Sequence, residues 1–159
     1  MYVMNKYNII LSAVFVLISS AFSVEDNAIN VNEKYAFLND IYDESWALVI
    51  GIDHYHNVPA LGYAVADAEK VRDLLIDQFG FKENNVKLML NEEATKENIL
   101  KGFKYVLTNA KENDRVLVFY AGHGDTYNLP SGGDMGYLIP IDGNLDNLYL
   151  SSIPMNQIN

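Results

Sequence analysis

The 159-residue chain contains no cysteine. That excludes disulfides, thiolate metal sites and, within these residues, a thiol nucleophile. Positive charge is also scarce. Eleven Lys and Arg stand against twenty-one Asp and Glu, a net charge of −10. Neutralising phosphates needs clustered cations, so nucleic acid is not an expected partner. No glycine-rich phosphate loop follows the first internal apolar run, and no Gly-x-Ser-x-Gly elbow occurs. Nucleotide-binding and serine-hydrolase domains are disfavoured accordingly. Asp125, Asp134, Asp142 and Asp146 lack the compact spacing of a calcium loop. Asp53, His54 and His56 alternate in a polar loop, where solvation is the default, so neither a metal nor a cofactor is expected. What is abundant is apolar. Half of the residues are hydrophobic, with eleven Tyr and seven Phe, which suits one packed domain rather than a disordered chain.

Met1–Ser23 reads as an export signal. Lys6 precedes an apolar run from Ile9 to Phe22, interrupted only by serines, and Ala21-Phe22-Ser23 offers a small-residue cleavage tripeptide. The run is shorter than the roughly 20 residues of a membrane-spanning helix. The chain is therefore expected to be exported to the periplasm or secreted, or anchored if the signal stays uncleaved. Residues 24–44 form an acidic lead-in, and residues 45–159 form the domain.

Trp46–Ile52 is an uninterrupted apolar run and reads as the first strand, with Asp53–Asn57 as a polar loop at its carboxyl end. A helix follows, with Asp67 as its expected N-cap and Val71, Leu74, Leu75 and Phe79 as its apolar face. Gly80 should end that helix, with Phe81 packing back on it. Val86–Leu90 alternates and suits an edge strand. Thr95 is placed to cap a second helix whose face is Ile99, Phe103, Val106, Leu107 and Ala110. Gly102 inside this helix costs about 1 kcal/mol against alanine, which points to close packing. Arg115–Tyr120 reads as a buried strand covered on both faces, and it breaks into Gly122-His123-Gly124. The two glycines are expected to permit unusual backbone angles there. Asp125–Asp134 reads as a flexible loop and Gly136–Asp142 as an extended piece. Ser151 to Pro154 reads as a helix start with a serine cap and an early proline.

The order strand, helix, strand, helix, strand makes a parallel sheet with right-handed crossovers the economical fold. With the weaker strand at the edge, the spatial order is second, first, third. The chain then reverses direction between the first and third strands, and a binding crevice opens at their carboxyl ends. His123 and the Asp53–Asn57 loop both reach it.

Four stretches carry a resemblance: Trp46-Ala-Leu-Val-Ile-Gly-Ile-Asp-His-Tyr55, Leu61-Gly-Tyr-Ala-Val-Ala-Asp-Ala68, Phe119-Tyr-Ala-Gly-His-Gly124 and Gly136-Tyr-Leu-Ile-Pro-Ile-Asp142. In this order they resemble the caspase-like cysteine peptidases, in the branch of metacaspases and bacterial caspase homologues. The resemblance covers roughly Ser45 to Asn159. It implies a caspase-like three-layer α/β sandwich, a mostly parallel sheet with helices on both faces, truncated before the cysteine-bearing strand. It puts His123 on the family's catalytic histidine and Gly124 on the glycine whose amide helps form the oxyanion hole. It puts Asp67 on an aspartate that helps line a substrate pocket for basic residues, although capping would explain that residue unaided. The family's serine two residues before the histidine is Ala121 here. The implied activity is a cysteine-type endopeptidase using a Cys–His dyad on a peptide or protein substrate. The cysteine lies outside these residues, so the chain alone is expected to be inactive. The alternative is a pseudopeptidase that binds a peptide or protein partner in the same crevice without cleaving it.

Overall fold

The computed structural model describes residues 41–157. The expected export signal and nearly all of the lead-in lie outside the described residues. Among those described, no helix is long and apolar enough to cross a membrane.

Three parallel strands form the main sheet: β1 (Ser45–Gly51), β2 (Val86–Leu90) and β3 (Arg115–Ala121), in the order β2-β1-β3. Ala47 pairs with Val86 on one side of β1, and Ser45 pairs with Arg115 on the other. Two 14-residue helices make the crossovers, α1 (Ala64–Asp77) and α2 (Lys96–Asn109). This is the doubly covered arrangement expected from the alternating elements. Side chains alternate between the faces of β1. Ala47 and Val49 pack with Ala68, Leu75 and Phe81 under α1, while Leu48, Ile50 and Ile52 pack with Met89, Ile99 and Val106 under α2. Each fully buried leucine or isoleucine contributes about 1.5–3 kcal/mol, so β1 anchors both layers.

The helix ends explain themselves. Gly80 takes φ +72°, and the Phe81 N–H donates to Leu75 O at 3.0 Å, the C-terminal closure expected there. Thr95 Oγ1 accepts from the Asn98 N–H at 3.2 Å, as expected of a cap. A Cβ on Gly102 would lie 2.8 Å from Met89 Cε and 2.9 Å from a Leu48 methyl, which is the close packing that its place in a helix suggested. The helix faces are rotated from the expected ones. Leu74 and Leu107 are exposed, and α1 instead buries Ala64, Ala68 and Leu75.

Three expectations are corrected. Val116 and Val118 are 40% and 36% exposed, because α2 lies over β1 and β2 and leaves that face of β3 bare among the described residues. Residues 125–134 are not a loop throughout. β4 (Gly124–Asn128) and β5 (Asp134–Leu138) form an antiparallel hairpin closed by a Leu129–Gly132 turn, with Gly132 and Gly133 at φ +91° and +88°. Ser151 does not start a helix. It ends a short one, α3 (Leu148–Ser151), and β6 (Ile153–Pro154) then pairs with β5. Burial of Ile153 beside Leu138 prevails there over the local capping signal.

Candidate active site

β1, α1 and the start of β4 converge at the carboxyl end of the sheet. In a parallel βαβ unit the helices run against the strands, so their N-termini arrive at this end. The side chain of Asp53, two residues beyond β1, meets the first of them. Its Oδ1 accepts from the Ala64 N–H at 2.8 Å and its Oδ2 from the Val65 N–H at 3.3 Å. Asp53, not Asp67, is therefore the cap of α1. The helix begins four residues earlier than its sequence suggests, because the cap comes from a different segment. Asp67 sits exposed in the first turn, its N–H donating to Tyr63 O as an ordinary helical bond.

The loop that follows is pinned at several points. Asn91 Oδ1 accepts from the N–H groups of Asp53 and His54, at 2.8 and 3.1 Å, with Asn91 itself at φ 40°. The Leu61 N–H donates back to Asp53 O at 2.7 Å, and the His56 N–H donates to Ile141 O at 3.0 Å. The loop is closed and held to three neighbouring segments.

His123 follows β3 and is 5% exposed. Its Nε2 lies 2.8 Å from Pro59 O. A carbonyl only accepts, so Nε2 is the donor in this contact. Its main-chain N–H donates to Tyr55 Oη at 2.8 Å, and the two rings sit 4.9 Å apart, tilted by 54°. Burial pushes the Tyr55 hydroxyl up to about 12, with the His123 N–H pulling the other way. Burial also raises Tyr120 well above the ordinary tyrosine value.

Gly122 and Gly124 do not adopt positive φ, so the expected backbone freedom is not what they supply. At Gly122 the reason is space. A Cβ would lie 2.6 Å from Tyr55 Oη and 2.7 Å from Tyr120 Oη. Gly124 opens β4. The Ile139 N–H donates to His123 O at 3.0 Å, which makes Gly124 and Leu138 a non-hydrogen-bonded pair. The Gly124 N–H therefore points away from β5 and is not used by the hairpin.

These residues, from β1 to the β5 segment, fall within the reach of one family. The caspase domain family matches residues 44–158. The chain belongs to the caspase domain family. It is similar to Metacaspase-1 of Cryptococcus neoformans, 33% identical over 107 residues that cover 60% of this chain and 23% of that one. It is also similar to Metacaspase-6 of Arabidopsis thaliana, 31% identical over 109 residues, 62% of this chain and 30% of the other. A crystallised protein of Geobacter sulfurreducens shares the fold, with a TM-score of 0.55 at 20% identity over 64% of this chain and 41% of its own. The chain thus spans about a quarter of the length of the curated relatives that it matches. The fold and the family agree with what the four motifs implied.

The structure brings His123 together with two groups that sequence reasoning missed, Tyr55 and the Pro59 carbonyl. A main-chain carbonyl carries no sequence signal. A tyrosine inside a polar loop is a weak one. His54 and His56 do not join the site. His56 Nε2 instead lies 3.4 Å from Glu92 at the surface. Among the described residues no group of three or more His, Cys, Asp or Glu could hold a metal ion.

Proposed function

We propose that the domain to which these residues belong is a cysteine-type endopeptidase with His123 as its acid–base group. The carrying observation is the pairing of Nε2 with Pro59 O, which leaves Nδ1 as the ring nitrogen available to a nucleophile, while the N–H of the next residue, Gly124, is not used by the hairpin. An imidazole in that state can take a proton from a thiol and return it to the leaving amine. The thiolate attacks the peptide carbonyl, and the Gly124 N–H donates to the oxyanion that forms. Removing one such donor costs about 3–4 kcal/mol in hydrolases of this type. The nucleophile comes from outside these 159 residues, which contain no cysteine.

Asp67 is proposed to help bind a basic side chain of the substrate. With Asp53 serving as the cap, the competing explanation for Asp67 is gone, and its carboxylate is exposed near the start of α1. Ala121, in place of the family's serine, counts toward a pocket with one polar group fewer. Delivery across a membrane by the Met1–Ser23 segment belongs to the same proposal. A second reading, a pseudopeptidase that holds peptides in the crevice without cleaving them, is favoured only by the absent cysteine.

The whole protein decides between them. His123→Ala should lower peptide cleavage by about 10²–10⁴ while leaving the fold intact. Unchanged turnover would reject the role of His123. A protein that binds peptides and ignores a thiol-directed covalent probe would support the second reading.

A further inference from the structure

We propose that Tyr55 is a positioning residue for His123, holding its main chain while Pro59 of the same loop holds its ring. The proposal rests on His123 being the acid–base group. Three observations carry it. The Asp53–Leu61 loop accepts two hydrogen bonds from this histidine, the main-chain N–H on the Tyr55 hydroxyl and the imidazole on the Pro59 carbonyl. The two contacts therefore move together. Any shift of the loop displaces the ring and the peptide unit leading to Gly124 at once.

The second observation is another tyrosine hydroxyl on the same main chain. The Tyr120 hydroxyl lies 2.7 Å from Ile139 O and 2.9 Å from His123 O. Both oxygens only accept, so the single Tyr120 proton is spent on one of them. The two hydroxyls therefore flank the His123 main chain, Tyr55 at its N–H and Tyr120 at its carbonyl. Buried polar groups held in this way keep one arrangement.

The third observation is the empty position above it. Gly122 leaves the space that both hydroxyls occupy, and any side chain there would collide with them. The glycine before the histidine is thus explained by two tyrosines distant in sequence. Tyr55 reaches the main chain of His123 rather than the crevice, so its hydroxyl acts through the histidine and not on a substrate.

Tyr55→Phe removes one oxygen and keeps the ring. In the whole protein, nitrogen NMR of His123 should show the Nε2-protonated tautomer, identified by its loss in His123→Gln. Tyr55→Phe should convert this into a mixture of tautomers and speed exchange of the His123 amide by at least tenfold. In the whole protein the same variant should lower kcat by tenfold or more with KM within twofold, since misplacing a catalytic group by about 1 Å costs up to ~10²-fold. If Tyr55→Phe does not fold, Tyr120→Phe withdraws the hydroxyl that meets His123 O and should act in the same direction, more weakly. A folded variant with an unchanged tautomer and unchanged kcat overturns the proposal. Should His123→Ala itself retain full turnover, the acid–base reading falls and the proposal with it. Loss of activity in His123→Ala beside an unaffected Tyr55→Phe removes the proposal alone.

Discussion

Replacing Asp53 by alanine should destabilise the domain by about 2–3 kcal/mol. The carboxylate accepts from two N–H groups, Ala64 and Val65, out of the four donors that a helix N-terminus leaves unpaired. Loss of a side-chain cap costs about 0.5–2 kcal/mol, and loss of a negative charge at the positive helix end about 0.3–1 kcal/mol more. The upper parts of these ranges apply because both bonds are partly buried. Asp53→Asn retains an acceptor but no charge, and should cost about 1 kcal/mol or less. Trp46 offers the assay. It is the single tryptophan, its Nε1–H donates to Asp114 at 3.0 Å, and its ring meets Tyr105 edge-on. Its emission therefore follows unfolding of the sheet. With a urea slope of about 2 kcal/mol/M, the midpoint of the alanine variant should fall by about 1 M at matched dilute concentration. A midpoint within about 0.2 M of the parent would mean that α1 sets its own start and that the loop does not depend on Asp53.

Two further outcomes are expected. Asp114 is held below its usual value of 3.8, chiefly by the Lys111 N–H, with the Trp46 and Glu44 N–H groups assisting. A lowered folded-state value means a contribution present above pH 3.8 that is lost as pH falls through the lowered value, so Asp114→Asn should differ from the parent at neutral pH and converge with it in acid. Equal gaps at pH 7 and in acid, read by urea titration, would contradict this. β3 is an edge of the sheet among the described residues, with Val116 and Val118 exposed on it. The isolated chain should self-associate there, and Val118→Lys should shift it toward monomer in light scattering, since a charge blunts an open edge. A monodisperse, cooperatively unfolding monomer of the parent would refute the reasoning.

The parts of the fold that local pattern dictates were legible in the sequence. The runs at Trp46–Ile52 and Arg115–Tyr120, Thr95 before α2 and Gly80 after α1 all act through neighbours in the chain, and each holds its expected place. Gly102 was legible as a cost that something had to offset, and its contact with Leu48 and Met89 is that reason. What was not legible is what distant segments supply. Asp53 caps a helix eleven residues on, which no capping rule scans for, so Asp67 looked like the cap. The β4–β5 hairpin lacks an apolar run, and its Pro130, Ser131, Gly132 and Gly133 outweighed Tyr127 and Met135 in the pattern. His123 was visible because Gly-His-Gly after an apolar strand is unusual. Its restraints were not, since one is a main-chain carbonyl and the other a hydroxyl 68 residues away.

The central place of β1 has a consequence for the ribosome. β1 is the first strand among the described residues, and Ser45 lies 70 residues before Arg115, its partner across the sheet. At about 5–20 residues per second, roughly 4–14 s pass between synthesis of the two. During that interval Ala47–Ile50, fully buried in the finished domain, has no β3 to lie against. Parallel pairing cannot start locally, so nothing in the chain shortens the wait. Until then α1 and β2 are the partners available to this Ala-Leu-Val-Ile segment, and its β3 side stays unpaired in the nascent chain for seconds.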